Sequence, residues 1–148
     1  MAEAAPSDEP TPPVAPSVTP IVLFDGVCGL CDRVVTALIA RDGQRRLRYA
    51  PLQGTTAAAL RARYATIPTE LSTVVLIDEG HVYLRSRAVF RTLVLLGGRY
   101  RAFGVLLRLP AWLTDAGYRV VARVRFVLFG RRDACRVPTP EERGLFLP

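Results

Sequence analysis

The chain contains no lysine: all 20 of its basic residues are arginine. Mechanisms that depend on a lysine Schiff base or a phosphate-loop lysine are thereby excluded, which removes PLP enzymes and P-loop NTPases. Histidine is nearly absent too. The single His81 leaves no HExxH helix and no multi-histidine metal cage, and it allows at most one histidine-dependent triad. Long apolar runs are missing. The longest stretch, around Ala102 to Leu113, is cut by Arg108 and Pro110 and falls short of the ~18 residues a spanning helix needs. The opening MAEAAPSDEP has neither a basic n-region nor an apolar h-region, so no secretory signal is legible there. Cysteine is scarce, with Cys28, Cys31 and Cys135 the three. An odd number, two of them separated by two residues, is unlike the even, dispersed spacing of a secreted disulfide framework. A reducing compartment follows, and the cytoplasm is the expected location.

What is present suits one folded domain. Of 148 residues, 50% are hydrophobic and 22% charged, which argues against both disorder and a membrane bundle. The length gives room for one real core. The first 20 residues hold six of the 12 prolines, three acids and no base, and they show no periodic apolar pattern. They are predicted to be a disordered Pro-rich tail, residues 1–20, ahead of a single domain, residues 21–148. Beyond the tail, 20 arginines stand against ten acids, and between Arg85 and Arg132 Asp115 is the sole acid.

The punctuation from Ile21 onward is clear. Ile21–Phe24 is a continuous apolar run closed by Asp25-Gly26, as expected of a strand buried on both faces. After Cys28, residues Leu30, Val34, Val35, Leu38 and Ile39 recur at helical spacing up to Gly43. Leu47–Ala50 reads as a second strand and Thr55–Tyr64 as a second helix with Thr55 as its N-cap. Thr73–Ile77 and His81–Leu84, joined through Asp78-Glu79-Gly80, read as an antiparallel hairpin. Ser86 then caps a helix carrying Val89, Phe90, Leu93 and Val94 and closed by Gly97-Gly98. The order β-α-β-α-β-β-α predicts an α/β fold: a thioredoxin-like four-stranded mixed sheet flanked by helices. Extra C-terminal helices are expected near Tyr100–Leu109 and Ala111–Val127, packing across the same domain.

The chemistry is concentrated in Cys28-Gly29-Leu30-Cys31, where the first strand gives way to the first helix. The amides of the first turn and the positive end of the helix dipole point toward the first sulfur. In this setting a thiol can fall from ~8.5 into the range ~3.5–7.5, so Cys28 is expected to be the more acidic. The spacing also lets the two sulfurs close a disulfide across one helical turn. Cys28 is therefore the expected nucleophile and Cys31 the resolving thiol, acting on disulfide or dithiol substrates with no metal or organic cofactor. This chemistry requires a Cys28 sulfur that solvent can reach. Asp25 has two readings: a carboxylate that takes or returns the Cys31 proton, or an ordinary Asp-Gly turn residue bonded to local amides. Asp32, in the first turn, complements the dipole. Two other readings of the CxxC remain open: a zinc site completed by Cys135 and His81, or a buried structural pair.

The string Leu23-Phe24-Asp25-Gly26-Val27-Cys28-Gly29-Leu30-Cys31 resembles the signature of the DCC family of predicted thiol-disulfide oxidoreductases, of the DUF393 type. The resemblance extends from about Ile21 to Leu147, through Tyr49-Ala50-Pro51-Leu52-Gln53, Ser72–Asp78, Gly80-His81-Val82-Tyr83, Val121-Ala122-Arg123, Phe129–Asp133 and Cys135–Pro140. It implies a thioredoxin-like fold and a redox role for Cys28 and Cys31, with Asp25 as third signature residue. The chain departs from the family's common Asn and Tyr at Val124 and Phe126. It also has Ser72-Thr73 where thioredoxins proper place a cis-proline, with Pro68 several residues earlier, so a thioredoxin-style backbone clamp is not expected.

The remaining candidates are weaker. Cys135, among Arg131, Arg132 and Arg136, reads as a third redox thiol or a small buried residue. His81 reads as a surface strand residue. In the Arg-rich half, Arg119 and Arg123 share one helical face while Val120, Val121, Val124 and Leu128 form another. That pattern suits peripheral contact with an anionic membrane surface, and no nucleic-acid motif accompanies it. The expected partners are thus a thiol or disulfide substrate, protein or small molecule, and an unidentified electron donor. The alternative function is a non-enzymatic redox-sensing adaptor that binds a protein partner or an anionic membrane through its Arg-rich half.

Overall fold

A computed structural model describes residues 19–69, 73–130 and 138–148. The predicted tail up to residue 18, Ser72 and Cys135 with its flanking arginines lie outside these described residues. Four strands, β1 (Ile21–Phe24), β2 (Arg48–Pro51), β3 (Val75–Asp78) and β4 (His81–Leu84), form one mixed sheet in the order β2-β1-β3-β4. β1 runs parallel to β2, with Ile21 opposite Arg48, and antiparallel to β3, with Leu23 opposite Val75. The parallel pair needs a crossover, which helix α1 (Gly29–Arg41) supplies. The β3–β4 hairpin turns through Glu79 and Gly80, both with positive φ (50° and 79°), the geometry that matches strand twist in a two-residue turn.

Strand alternation divides the core in two. Val22 and Phe24 face Cys28, Cys31, Val35, Leu38, Leu76 and Ala88 on one side of the sheet. Ile21 and Leu23 face Ala50, Leu52, Ala57, Leu60 and Ile77 on the other. All four β1 residues are buried, as the uninterrupted apolar run predicts. Helix α2 (Thr55–Arg63) covers the second side; α1 and α3 (Arg85–Leu96) cover the first. Beyond them come 3₁₀ turns over Gly98–Arg108 and then α4 (Ala111–Phe129), which packs on α3 and α1. The α/β architecture with a four-stranded mixed sheet, flanking helices and C-terminal helices is the one expected.

Local details differ where tertiary partners override sequence signals. Gly54, not Thr55, is the N-cap of α2, and the Thr56 amide donates to the Pro148 carbonyl at 2.8 Å. Leu84 is the N-cap of α3; Ser86 is buried inside the helix, and its hydroxyl bonds Thr114 at 2.9 Å and also Asp115, tying α3 to α4. The stretch predicted as a helix near Tyr100–Leu109 is helical but adopts 3₁₀ turns, and none of its residues is buried. The free edge of β2 is shielded by the C-terminal segment. Tyr49 donates to the Leu145 carbonyl and accepts from the Leu147 amide (2.9 and 2.8 Å), and Phe146 packs on the rings of Tyr49 and Phe24.

Candidate active site

β1 ends at Phe24, and the chain turns through Asp25, Gly26 and Val27 into α1. Cys28 is the N-cap residue of that helix, with extended backbone, and its Sγ accepts the Cys31 amide at 3.4 Å. Both cysteines are present as thiols. The turn is fixed by a carboxylate and an amide. Asp25 Oδ1 accepts from the Val27 amide (3.1 Å) and from Gln53 Nε2 (2.8 Å), while Gln53 Oε1 accepts from the Gly26 amide (3.1 Å). Gln53, just past the end of β2, therefore locks the approach to the CxxC, a role its place in the sequence did not disclose.

The other oxygen of Asp25 is held by a residue that sequence reasoning missed. Arg125 of α4 donates from Nη2 to Asp25 Oδ2 at 3.2 Å and from Nη1 to Cys31 Sγ at 3.7 Å. Arg125 and Asp25 are both buried, so the ion pair is shielded from solvent. The signal was available only on the helical wheel. Arg125 falls on the side of α4 shared with Tyr118 and Ala122, away from Val120 and Val127, whereas Arg119 and Arg123 are exposed.

Burial pushes the Cys31 thiol up to about 12, and the hydrogen bond and charge of Cys28 add to the effect. Arg125 and the Asp25 backbone oppose it without prevailing. Cys31 is thus a protonated thiol at neutral pH. The Tyr118 hydroxyl accepts the Val74 amide at 2.9 Å, so α4 also occupies the backbone at the start of β3. Burial raises that hydroxyl's pKa, and the neighbouring Cys31 contributes.

The expectation of a solvent-reachable Cys28 sulfur is not met in this arrangement: Cys28 is 0% exposed. The C-terminal end of α4 lies on the start of α1. The Gly29 amide, one of the donors left open at a helix start, donates to the Gly130 carbonyl at 3.2 Å, and a Cβ on Gly29 would run into the Phe129 carbonyl oxygen. The Arg33 guanidinium lies 5.5 Å from the Phe129 ring centroid. Carbonyls at the negative end of one helix thus meet amides at the positive end of another.

Asp32 is half-buried in the first turn of α1, and His81 is the exposed first residue of β4. Among the described residues no three His, Cys, Asp or Glu side chains are grouped to hold a metal ion, and Cys135 lies outside them. No helix of the described residues is long and apolar enough to cross a membrane. A cavity of about 330 Å³, lined in part by Phe24, Pro51, Arg143 and Phe146, opens beside the last residues of β1 and β2.

The family model described as DCC1-like thiol-disulfide oxidoreductase matches residues 22–131. The chain is 31% identical over 128 residues to "Uncharacterized protein YuxK" of Bacillus subtilis (strain 168), an alignment covering 86% of this chain and 93% of that one. It is 33% identical over 119 residues to "DCC family protein At1g52590, chloroplastic" of Arabidopsis thaliana, covering 80% of this chain and 69% of the relative. No solved structure shows significant similarity. With the CxxC at the cap of α1 and a family match that runs through Arg125, the chain belongs to the DCC1-like thiol-disulfide oxidoreductase family.

Proposed function

We propose that the protein is a dithiol–disulfide oxidoreductase in which Cys28 attacks and Cys31 resolves, working without a metal or organic cofactor in a reducing, cytoplasmic setting. The observation that carries this reading is the placement of Cys28 Sγ at the helix cap, accepting the Cys31 amide, with a buried guanidinium on the second sulfur. The Cys28 thiolate, its proton gone to solvent, attacks one sulfur of a substrate disulfide; a mixed disulfide forms, and the first substrate thiol leaves and takes up a proton. Cys31 then loses its proton to the Asp25 carboxylate, while Arg125, which stays protonated and bonds both groups, stabilises the emerging thiolate. That thiolate attacks the Cys28 sulfur, and the second substrate thiol leaves with the proton held on Asp25. Two electrons and two protons pass from the cysteine pair to the substrate. A small-molecule thiol or a dithiol protein, as electron donor, reverses the sequence.

In this reading the Phe129–Gly130 end of α4, seated on Gly29 next to the buried Cys28, withdraws to admit substrate. One backbone hydrogen bond, worth about 0.5–1.5 kcal/mol net, and the Arg33–Phe129 cation–π contact, worth about 0.5–1 kcal/mol, join the two helix ends there, so the motion is inexpensive. The test is reduction of a protein disulfide with reductant supplied. Wild-type turnover should vanish in Cys28→Ser, while Cys31→Ser should stop after one covalent attack; full activity in both variants would end the assignment.

The complete covering of Cys28 also favours a second reading, a redox-sensing adaptor whose pair cycles once per conformational change. Turnovers per protein separate the two. Many equivalents of substrate reduced favour the enzyme, and a single equivalent favours the sensor.

A further inference from the structure

Helix α4 turns one arginine inward and an apolar stripe outward. Arg125 is its only buried residue, whereas Val120, Val127 and Leu128 are 62%, 86% and 69% exposed and Val124 is 39% exposed. Val120, Val124, Val127 and Leu128 recur at spacings of three and four, so they form one stripe along the helix, and no described residue covers it. Arg119 and Arg123 are exposed along its edge. The only acid of the helix, Asp115, is engaged by Ser86 of α3. Trp112, the chain's sole tryptophan, is 73% exposed in the first turn.

The charge decides what fits this face. A second copy would bring Arg119 and Arg123 toward their own counterparts in a chain of net charge +7, with no free acid on the helix to answer them. An anionic lipid surface answers both components: the stripe enters the headgroup–acyl boundary, the guanidinium groups meet phosphates on their apolar stems, and tryptophan favours that depth. We propose that the outer face of α4 docks the protein on an anionic membrane surface. Another side of the same helix holds Arg125 on Cys31, so docking places the cysteine pair within about one helix diameter, ~10 Å, of the headgroups. The proposal does not depend on the exchange chemistry.

The test uses the full chain with vesicles of phosphatidylcholine, with and without phosphatidylglycerol, read by co-sedimentation and by Trp112 emission. Binding to the phosphatidylglycerol vesicles alone, with a blue shift of Trp112 and weakening in high salt, is the expected result. Arg119→Gln with Arg123→Gln should weaken partitioning about thirtyfold. Val127→Asp with Leu128→Asp should abolish it, with an unchanged thermal midpoint showing that the fold persists. No binding at low salt, or equal binding to both vesicles, would overturn the proposal. So would a concentration-dependent dimer dissolved by the two Asp substitutions without vesicle binding, which assigns the stripe to a second copy.

Discussion

Arg125 reaches across 100 positions of sequence to Asp25, and its guanidinium is shared between a carboxylate and a thiol. Removing one partner of a buried pair leaves the other charge uncompensated, so Arg125→Leu should lower stability by about 3–5 kcal/mol, read from the urea midpoint. Pairing it with Asp25→Asn should recover most of that loss, which a purely steric role for Arg125 would not allow. Cys31 makes a second expectation at this scale. Its thiol ionises near 9.0 in the unfolded chain and at about 12 when folded, so the stabilisation from its neutral form is complete below pH 9 and declines between pH 9 and 12. Stability of the reduced protein should therefore fall in that window by up to about 1.4 kcal/mol per pH unit from this group. Tyr49, also raised by burial, adds a later loss of the same sign. Denaturation at pH 8 and pH 10.5 should show a smaller difference for Cys31→Ser than for wild type.

Among the elements, those with local signals were legible and those set by distant contacts were not. Ile21–Phe24 announced a doubly buried strand by composition, and the CxxC announced a helix start by its place after Asp-Gly. Asp25 makes the local amide bond anticipated of a turn residue, and its other oxygen pairs with Arg125. Ser86 misled because a capping residue in sequence can instead bond a neighbouring helix. Arg125 was invisible because ordinary amphipathic logic sends arginine outward and valine inward; Arg119 and Arg123 of α4 obey it, whereas Arg125 and the exposed valines do not. The contact between α4 and α1 gives a direct expectation. Gly29→Ala cannot keep the Phe129 carbonyl where it is, so the helix ends must part. Alkylation of Cys28 by iodoacetamide in the native reduced protein should accelerate by about tenfold, corresponding to loss of roughly one hydrogen bond's worth of closure. An unchanged rate would show that the α4 end does not control access.

For the whole molecule, the sheet is completed by its own C-terminal segment, which shields the β2 edge, and α4 closes over the CxxC. Phe146→Ala removes a half-buried ring from Phe24 and Tyr49 and should cost on the order of 2 kcal/mol, measured by thermal or urea unfolding. The fold class was legible from element order because strand, crossover helix and hairpin leave few arrangements. The closure was not, since it depends on how a terminal helix seats on two others. The most direct measurement is peptide-mapping mass spectrometry of the Cys31→Ser variant after incubation with a disulfide substrate. Attack by the helix-cap thiol predicts a single mixed disulfide on Cys28; an unmodified protein, or an adduct confined to Cys135, would contradict it.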